Sequence, residues 1–325
     1  MNYVSFNTTR KEDIYNKSGV GYLQFRDTLS PKYNIVWLEI ISNYIVLIII
    51  LSVIAVLQES VWWSFCVTVP IGGFVVGYIV ASLNLFMHEA SHYHLTANRT
   101  KNDLLANLFL GLAIGMDVNF YRSVHFVHHR LIGTKNDTEK SYFEPLSWRF
   151  FFEALTGLRI IKVMLHRNKN IRANYGSKEG EEIVHKNNLF FLLALLSHLT
   201  LLCLLFLAGF WAAVVAWILG MGIVFPFLAM FRQILEHRTH DANSDLDYHK
   251  IDQGASHRMF GSGFFASTFG AAGFNRHLLH HWDPQVSYTR LKDLEMFLKE
   301  TSLNEELEKS KTTYLRTFLL LFNKQ

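Results

Sequence analysis

The chain has 325 residues; half are apolar, 14% are aromatic and only 18% are charged. That balance is greasy for a soluble enzyme. The net charge of +4 comes without any dense basic run, which excludes nucleic acid as a partner and suits contact with anionic lipid heads.

Charge is distributed in blocks. All 31 Lys and Arg fall within 1–35, 93–187 and 232–325, and none lies in 36–92 or 188–231. The first 35 residues form a polar arm without the apolar core of a signal peptide. Each uncharged block is too long for one membrane helix and suits two, since a span needs about 20 apolar residues at 1.5 Å rise to cross a ~30 Å core. The first block divides near Gln58–Ser60 and predicts spans at about 36–57 and 62–87. The second divides near Gly209 and predicts spans at about 189–208 and 211–231.

Neither connector inside these blocks carries a Lys or Arg. By the positive-inside rule, both termini and the 93–187 loop belong in the cytosol. The expected fold is an all-α integral membrane protein. Four transmembrane helices form two hairpins beneath a cytosolic helical cap built from 93–187 and 232–325, as a single domain. Cys66 and Cys203 fall in the predicted spans and read as small buried hydrophobes.

Two cytosolic stretches remain apolar. Leu104–Met116 is too short to cross and reads as an interfacial or re-entrant piece. Arg149–His166 mixes Phe, Leu and Ile with Arg and Lys at helical spacing, which predicts one interfacial amphipathic helix. The tail, 291–322, reads as helical and peripheral. There is no internal repeat and no low-complexity tract.

Sixteen histidines are present, and eleven cluster. The clusters are His88, His92 and His94; His125, His128 and His129; His237 and His240; and His277, His280 and His281. His88 and His92 stand four apart, so on a helix they share a face. Two clusters have the form H-x-x-H-H, in which the first position shares a face with the fourth and fifth. All four clusters land on the predicted cytosolic side. Imidazole nitrogen suits iron, copper and zinc. Eight or more such ligands exceed the six positions of one octahedral ion, so two ions are the natural count. Two irons so held can bind and reduce dioxygen to attack an unactivated C–H bond. His166, His185, His198, His249 and His257 stand apart and read as ordinary surface or core residues. His94 and His240 are left open as ligands, outer partners or bystanders. Glu89, Asp137, Glu236 and Asp283 lie beside the boxes and are candidates to accept the distal imidazole N–H.

From about Leu83 to Tyr288 this pattern resembles the membrane fatty acid desaturase and hydroxylase superfamily. His88 and His92 match its first box, His125, His128 and His129 its second, and His277, His280 and His281 its third. Glu236-His237 looks like its additional ligand position, and Asn275 precedes the third box as is common there. His129–Phe143 is similar to the stretch after box two in bacterial members, which implies a bacterial inner membrane. The resemblance implies a di-iron centre, dioxygen as co-substrate, and two electrons from a separate ferredoxin or b-type cytochrome with its reductase. The implied reaction is desaturation of an acyl chain in a lipid or thioester. Hydroxylation or ketone formation on a lipid, carotenoid or small amphiphile is the alternative. An apolar tunnel between the spans is expected to fix chain length and the position attacked.

Three rivals were weighed. His88-Glu89-Ala90-Ser91-His92 also fits the H-E-x-x-H signature of a zinc protease, with Glu as base. That reading leaves two H-x-x-H-H boxes without a purpose. A metal transporter needs ligands at the bilayer midplane, where the spans have almost none. A carboxylate-type di-iron bundle would use Glu89-x-x-His92 and Glu182-x-x-His185, but the charge map demands a membrane.

Overall fold

A computed structural model describes residues 6, 9–60, 64–134, 136–139, 142, 144–239, 242 and 258–322. Among these there is no strand, only two isolated bridges, Tyr15–Gly21 and Met259–Lys311. His240, His249 and His257 lie outside the described residues.

Four helices are long and apolar enough to cross a membrane: Tyr33–Gln58, Phe65–Ser91, Ser177–Leu207 and Trp211–His237. They cover the four predicted stretches but run further. The third begins with polar residues from Ser177, and the fourth continues past its apolar part to His237. The first and third leave most of their apolar side chains uncovered, including Leu38, Ile48, Val56, Leu196, Phe206 and Leu207. Uncovered apolar surface of this extent calls for lipid, not water. Cys66 on the second helix and Cys203 on the third are exposed free thiols, which corrects the expectation that they are buried.

The second and fourth helices approach closely because small residues face each other. A Cβ on Gly220 would meet Val76 Cγ1 at 2.6 Å and the Gly73 carbonyl oxygen at 2.8 Å, and one on Gly77 would meet Val224. Such contacts bring backbones together where lipid supplies no hydrophobic drive. The fourth helix widens into a π-turn at Gly220–Val224, beside this contact. At one end of the bundle, Gln58 donates to the Gly209 carbonyl at 2.6 Å and accepts from the Ala212 amide at 3.0 Å. His88 and His237 close the same second and fourth helices at the opposite end.

The Leu104–Met116 stretch is part of a bent pair, Arg99–Ile114 and Val118–Leu131, which meet at 85°. Gly115 takes φ +74° at the corner, and Asp117 caps the second helix by accepting from the Asn119 and Phe120 amides at 2.9 and 3.2 Å. Asn107 and Asn187 fasten this corner through the Asp117 side chain and amide at 2.7 and 3.1 Å. This corner sets the direction of the helix that carries box two.

The expected helix over Arg149–His166 is two helices, Trp148–Leu155 and Leu158–Tyr175. Gly157 breaks it at φ +73°. The tail divides into Leu291–Leu298, Asn304–Lys309 and Tyr314–Phe322. It is less peripheral than expected. Leu294, Phe297, Leu303 and Leu307 share a core with Ile14, Tyr22 and Leu29 of the N-terminal arm and with Leu278 and Leu279 of box three.

Candidate metal centre

Box one ends its helix. The second span stops at Ser91, and His92 sits in the turn beyond, its amide donating to the Glu89 carbonyl at 3.1 Å. The two imidazoles therefore do not share a helix face, as their spacing predicts, but their ring centres still lie 5.2 Å apart. Tyr93 takes a positive φ of 64° at this turn, under the Arg122 guanidinium 4.0 Å above its ring. Arg122 Nε donates to the Ser91 carbonyl at 2.8 Å, and Asn102 donates to the Ala90 carbonyl at 2.9 Å. Box two rides on Val118–Leu131. Box three rides on the short helix His277–Trp282.

The boxes converge on two neighbouring groups. His88, His92, His125, His129 and His280 bring ligand atoms within 4.8 Å of one another. His128, His237 and His281 do the same, as do Glu236, His237 and His277. Each H-x-x-H-H box is thus divided. In box two the i, i+4 pair His125 and His129 serves the first group and His128 the second. In box three His280 serves the first group, and the i, i+4 pair His277 and His281 the second.

Within the first group Nε2 atoms meet in series: His92 to His125 at 3.0 Å, His125 to His129 at 2.8 Å, His129 to His280 at 3.1 Å. In the second, His281 to His277 is 3.0 Å and His277 to His237 is 2.9 Å. A neutral imidazole carries one proton, so nitrogens gathered this way present lone pairs to a common volume. Burial, then neighbouring imidazoles, hold His92 and His280 well below the usual histidine range, which keeps them neutral and ready to ligate. His88 Nε2 and His128 Nε2 are buried without a hydrogen-bond partner. Orphaned acceptors at the centre of such a cluster fit a metal ion.

Carboxylates hold the outer side of the imidazoles. Asp137 Oδ1 lies 2.8 Å from His128 Nδ1, and Tyr142 donates to Asp137 Oδ2 at 2.6 Å. Glu89 reaches His94 Nδ1 at 3.0 Å and His88 Nδ1 at 3.5 Å, and accepts from the Tyr288 amide at 3.2 Å. His94 is therefore tied to Glu89 and belongs to neither group. Glu236 stands within the second group itself. Asp283 turns the other way, accepting from Tyr22 at 2.7 Å and pairing with Lys11 at 3.0 Å. Asn275 donates to the Gly261 carbonyl at 2.7 Å, fixing the loop before box three.

A cavity of about 330 Å³ opens onto both groups, touching His88 and His125 of the first and His128, His237, His277 and His281 of the second. Met116, Val163, Met164, Phe191 and Phe225 give it an apolar wall. It lies between the second and fourth spans, box two and the Leu158–Tyr175 helix. The wall is less uniformly apolar than the expected tunnel, because Arg167, Arg232, Gln233 and Glu139 also line it. Tyr142, Tyr288 and Arg232 are the site neighbours that spacing did not single out. Arg232 alone left a signal, as the first cation after the 188–231 block.

Residues 60–314 match the family model described as Fatty acid desaturase. The chain belongs to the fatty acid desaturase family. No curated protein and no solved structure gives a match. Membership brings desaturase- or hydroxylase-type oxidation and a dependence on metal that the histidine groups can meet. It also weighs against the two-histidine zinc protease, since His88 and His92 share their volume with three further imidazoles.

Proposed function

We propose that the protein is a dioxygen-dependent di-iron desaturase of an acyl chain. The observation that carries this reading is the division of both H-x-x-H-H boxes between two adjacent ligand groups that border one cavity. One ion would be held by His88, His92, His125, His129 and His280, the other by His128, His237, His277 and His281 with Glu236. Asp137 and Glu89 would orient ligands from outside. The metal pair would supply the reduction of dioxygen. In balance, a CH2–CH2 unit, one dioxygen, two electrons and two protons give CH=CH and two waters. The electrons would come from a separate ferredoxin or b-type cytochrome with its reductase.

The chain itself supplies confinement. The apolar wall excludes water from the reacting carbons, and the second and fourth helices fix the imidazoles relative to it. We assign a multi-pass topology with both termini and the metal groups cytosolic, on the positive-inside asymmetry and on the shared end of His88 and His237. A bacterial inner membrane fits the stretch after box two.

The test is to incubate membranes carrying the protein with labelled acyl lipids and thioesters, plus a reductant system, and to weigh the products. Loss of two hydrogens supports desaturation. Gain of one oxygen replaces it with hydroxylation, and an unchanged mass with no bound metal overturns the reading.

A further inference from the structure

Three arginines line the cavity, and their partners differ. Arg159 has Glu144 at 2.9 Å. Arg167 has Glu139 at 3.5 Å, whose other oxygen accepts from Gln233 at 2.8 Å. Among the described residues Arg232 has Glu236, at 3.6 Å, too long for a hydrogen bond. Its Nη1 is buried without a hydrogen-bonded acceptor, as are Nε and Nη2 of Arg159 and Nε of Arg167, and the Arg232 side chain is 11% exposed; what sets Arg232 apart is its place beside the imidazole groups. A guanidinium carries five donors in a planar fork suited to carboxylate or carbonyl oxygen. A buried charge that finds no full partner is costly and points to a ligand.

The placement of Arg232 gives the ligand a scale. Its guanidinium stacks 4.2 Å above the Phe274 ring, and that ring lies 4.5 Å from the His88 ring and 5.0 Å from that of His277. At most about 9 Å therefore separates the guanidinium from the His88 ring centre, so a group held by Arg232 lies close to the first ligand group.

We propose that Arg232 receives the carbonyl or carboxylate oxygen of the acyl substrate inside the cavity. Because that oxygen and the imidazoles then share one cavity, oxidation falls on the carbonyl-side half of the chain and not at its methyl end. This rests on the oxidase reading for its second half only; the binding half stands without it. Arg232 is a specificity-determining residue: it fixes which end of the chain enters and how far it slides.

The experiment uses the detergent-purified full chain and measures binding of labelled palmitate, methyl palmitate and hexadecane by equilibrium dialysis. Wild type is compared with Arg232→Gln and Arg232→Lys, and metal per chain is counted on the same samples. Arg232→Gln is expected to weaken palmitate binding roughly 10- to 100-fold, the scale of a hydrogen bond to a charged group. Hexadecane binding and metal content should stay as in wild type. Arg232→Lys keeps the charge without the fork, should fall between, and replaces the Gln variant if that one does not fold. Loss for palmitate alone identifies a carboxylate, and equal loss for the ester identifies a carbonyl. Equal loss for hexadecane overturns the proposal, as does unchanged palmitate binding with lowered metal, which would make Arg232 a support for Glu236. Mapping the product then tests position: oxidation confined to the methyl-end half of the palmitoyl chain overturns that part of the proposal. Selective palmitate binding in a chain that neither holds metal nor oxidises would overturn the oxidase reading and leave the site standing.

Discussion

Asp137 and His128 meet through Oδ1 and Nδ1 at 2.8 Å, with the carboxylate fully buried. Tyr142 donates to the second carboxylate oxygen, so the acid is fixed from both sides. A carboxylate on the distal nitrogen sets the tautomer that leaves Nε2 free to ligate. Asp137→Asn should lower metal affinity about 10- to 100-fold, measured by competition with a chelator. Tyr142→Phe should give a smaller loss in the same assay.

His280 and His281 are adjacent in sequence but serve different groups. His280→Ala should therefore deplete one ion and His281→Ala the other, each leaving about one metal per chain against the two expected of wild type, by elemental analysis. The double variant should hold neither. Equal loss of both ions in each single variant would mean one fused site.

The buried imidazoles also set a pH dependence in the metal-free protein. The folded values of His92 and His280 are lowered, by burial first and by neighbouring imidazoles next, while the unfolded chain titrates near 6.5. As pH falls through 6.5, the unfolded state gains protons that the folded state refuses, so stability falls. Their full contribution is present above that value. Thermal unfolding of the chelator-treated protein should show a midpoint that drops from pH 7.5 to 5.5. Bound metal, which also demands neutral imidazole, should raise the midpoint most at the upper end.

Gly220 packs against the Gly73 carbonyl and Val76. Gly220→Val would place a Cβ 2.8 Å from that carbonyl, and backbone cannot swing aside like a side chain. The expected cost is about 1–3 kcal/mol, read as a lower unfolding midpoint in detergent. Because the same two helices end in His88 and His237, metal content should fall too, although Gly220 touches no ligand.

The spans were legible because charge is excluded from lipid, and the histidine groups because H-x-x-H-H fixes faces on any helix. What escaped was three-dimensional. Nothing in the spacing of Arg149–His166 distinguishes one helix from two, and only the left-handed Gly157 makes the break. His92 was expected on a helix and sits past its end, held by Arg122 and Asn102 from elsewhere. Asp283 adjoins box three in sequence, yet Tyr22 and Lys11 claim its carboxylate. Arg232 looked like the end of a hydrophobic block until its neighbours in space were known.

The shared core of arm, box three and tail has a consequence for the order of events in the cell. Ile14 and Tyr22 leave the ribosome well before Leu303 and Leu307, with which they share a core. Box three is clasped between them through Leu278 and Leu279, so its support is complete only once Leu303 and Leu307 have been made. A truncation that removed Leu303 and Leu307 would therefore loosen the support under box three while sparing every histidine of both groups.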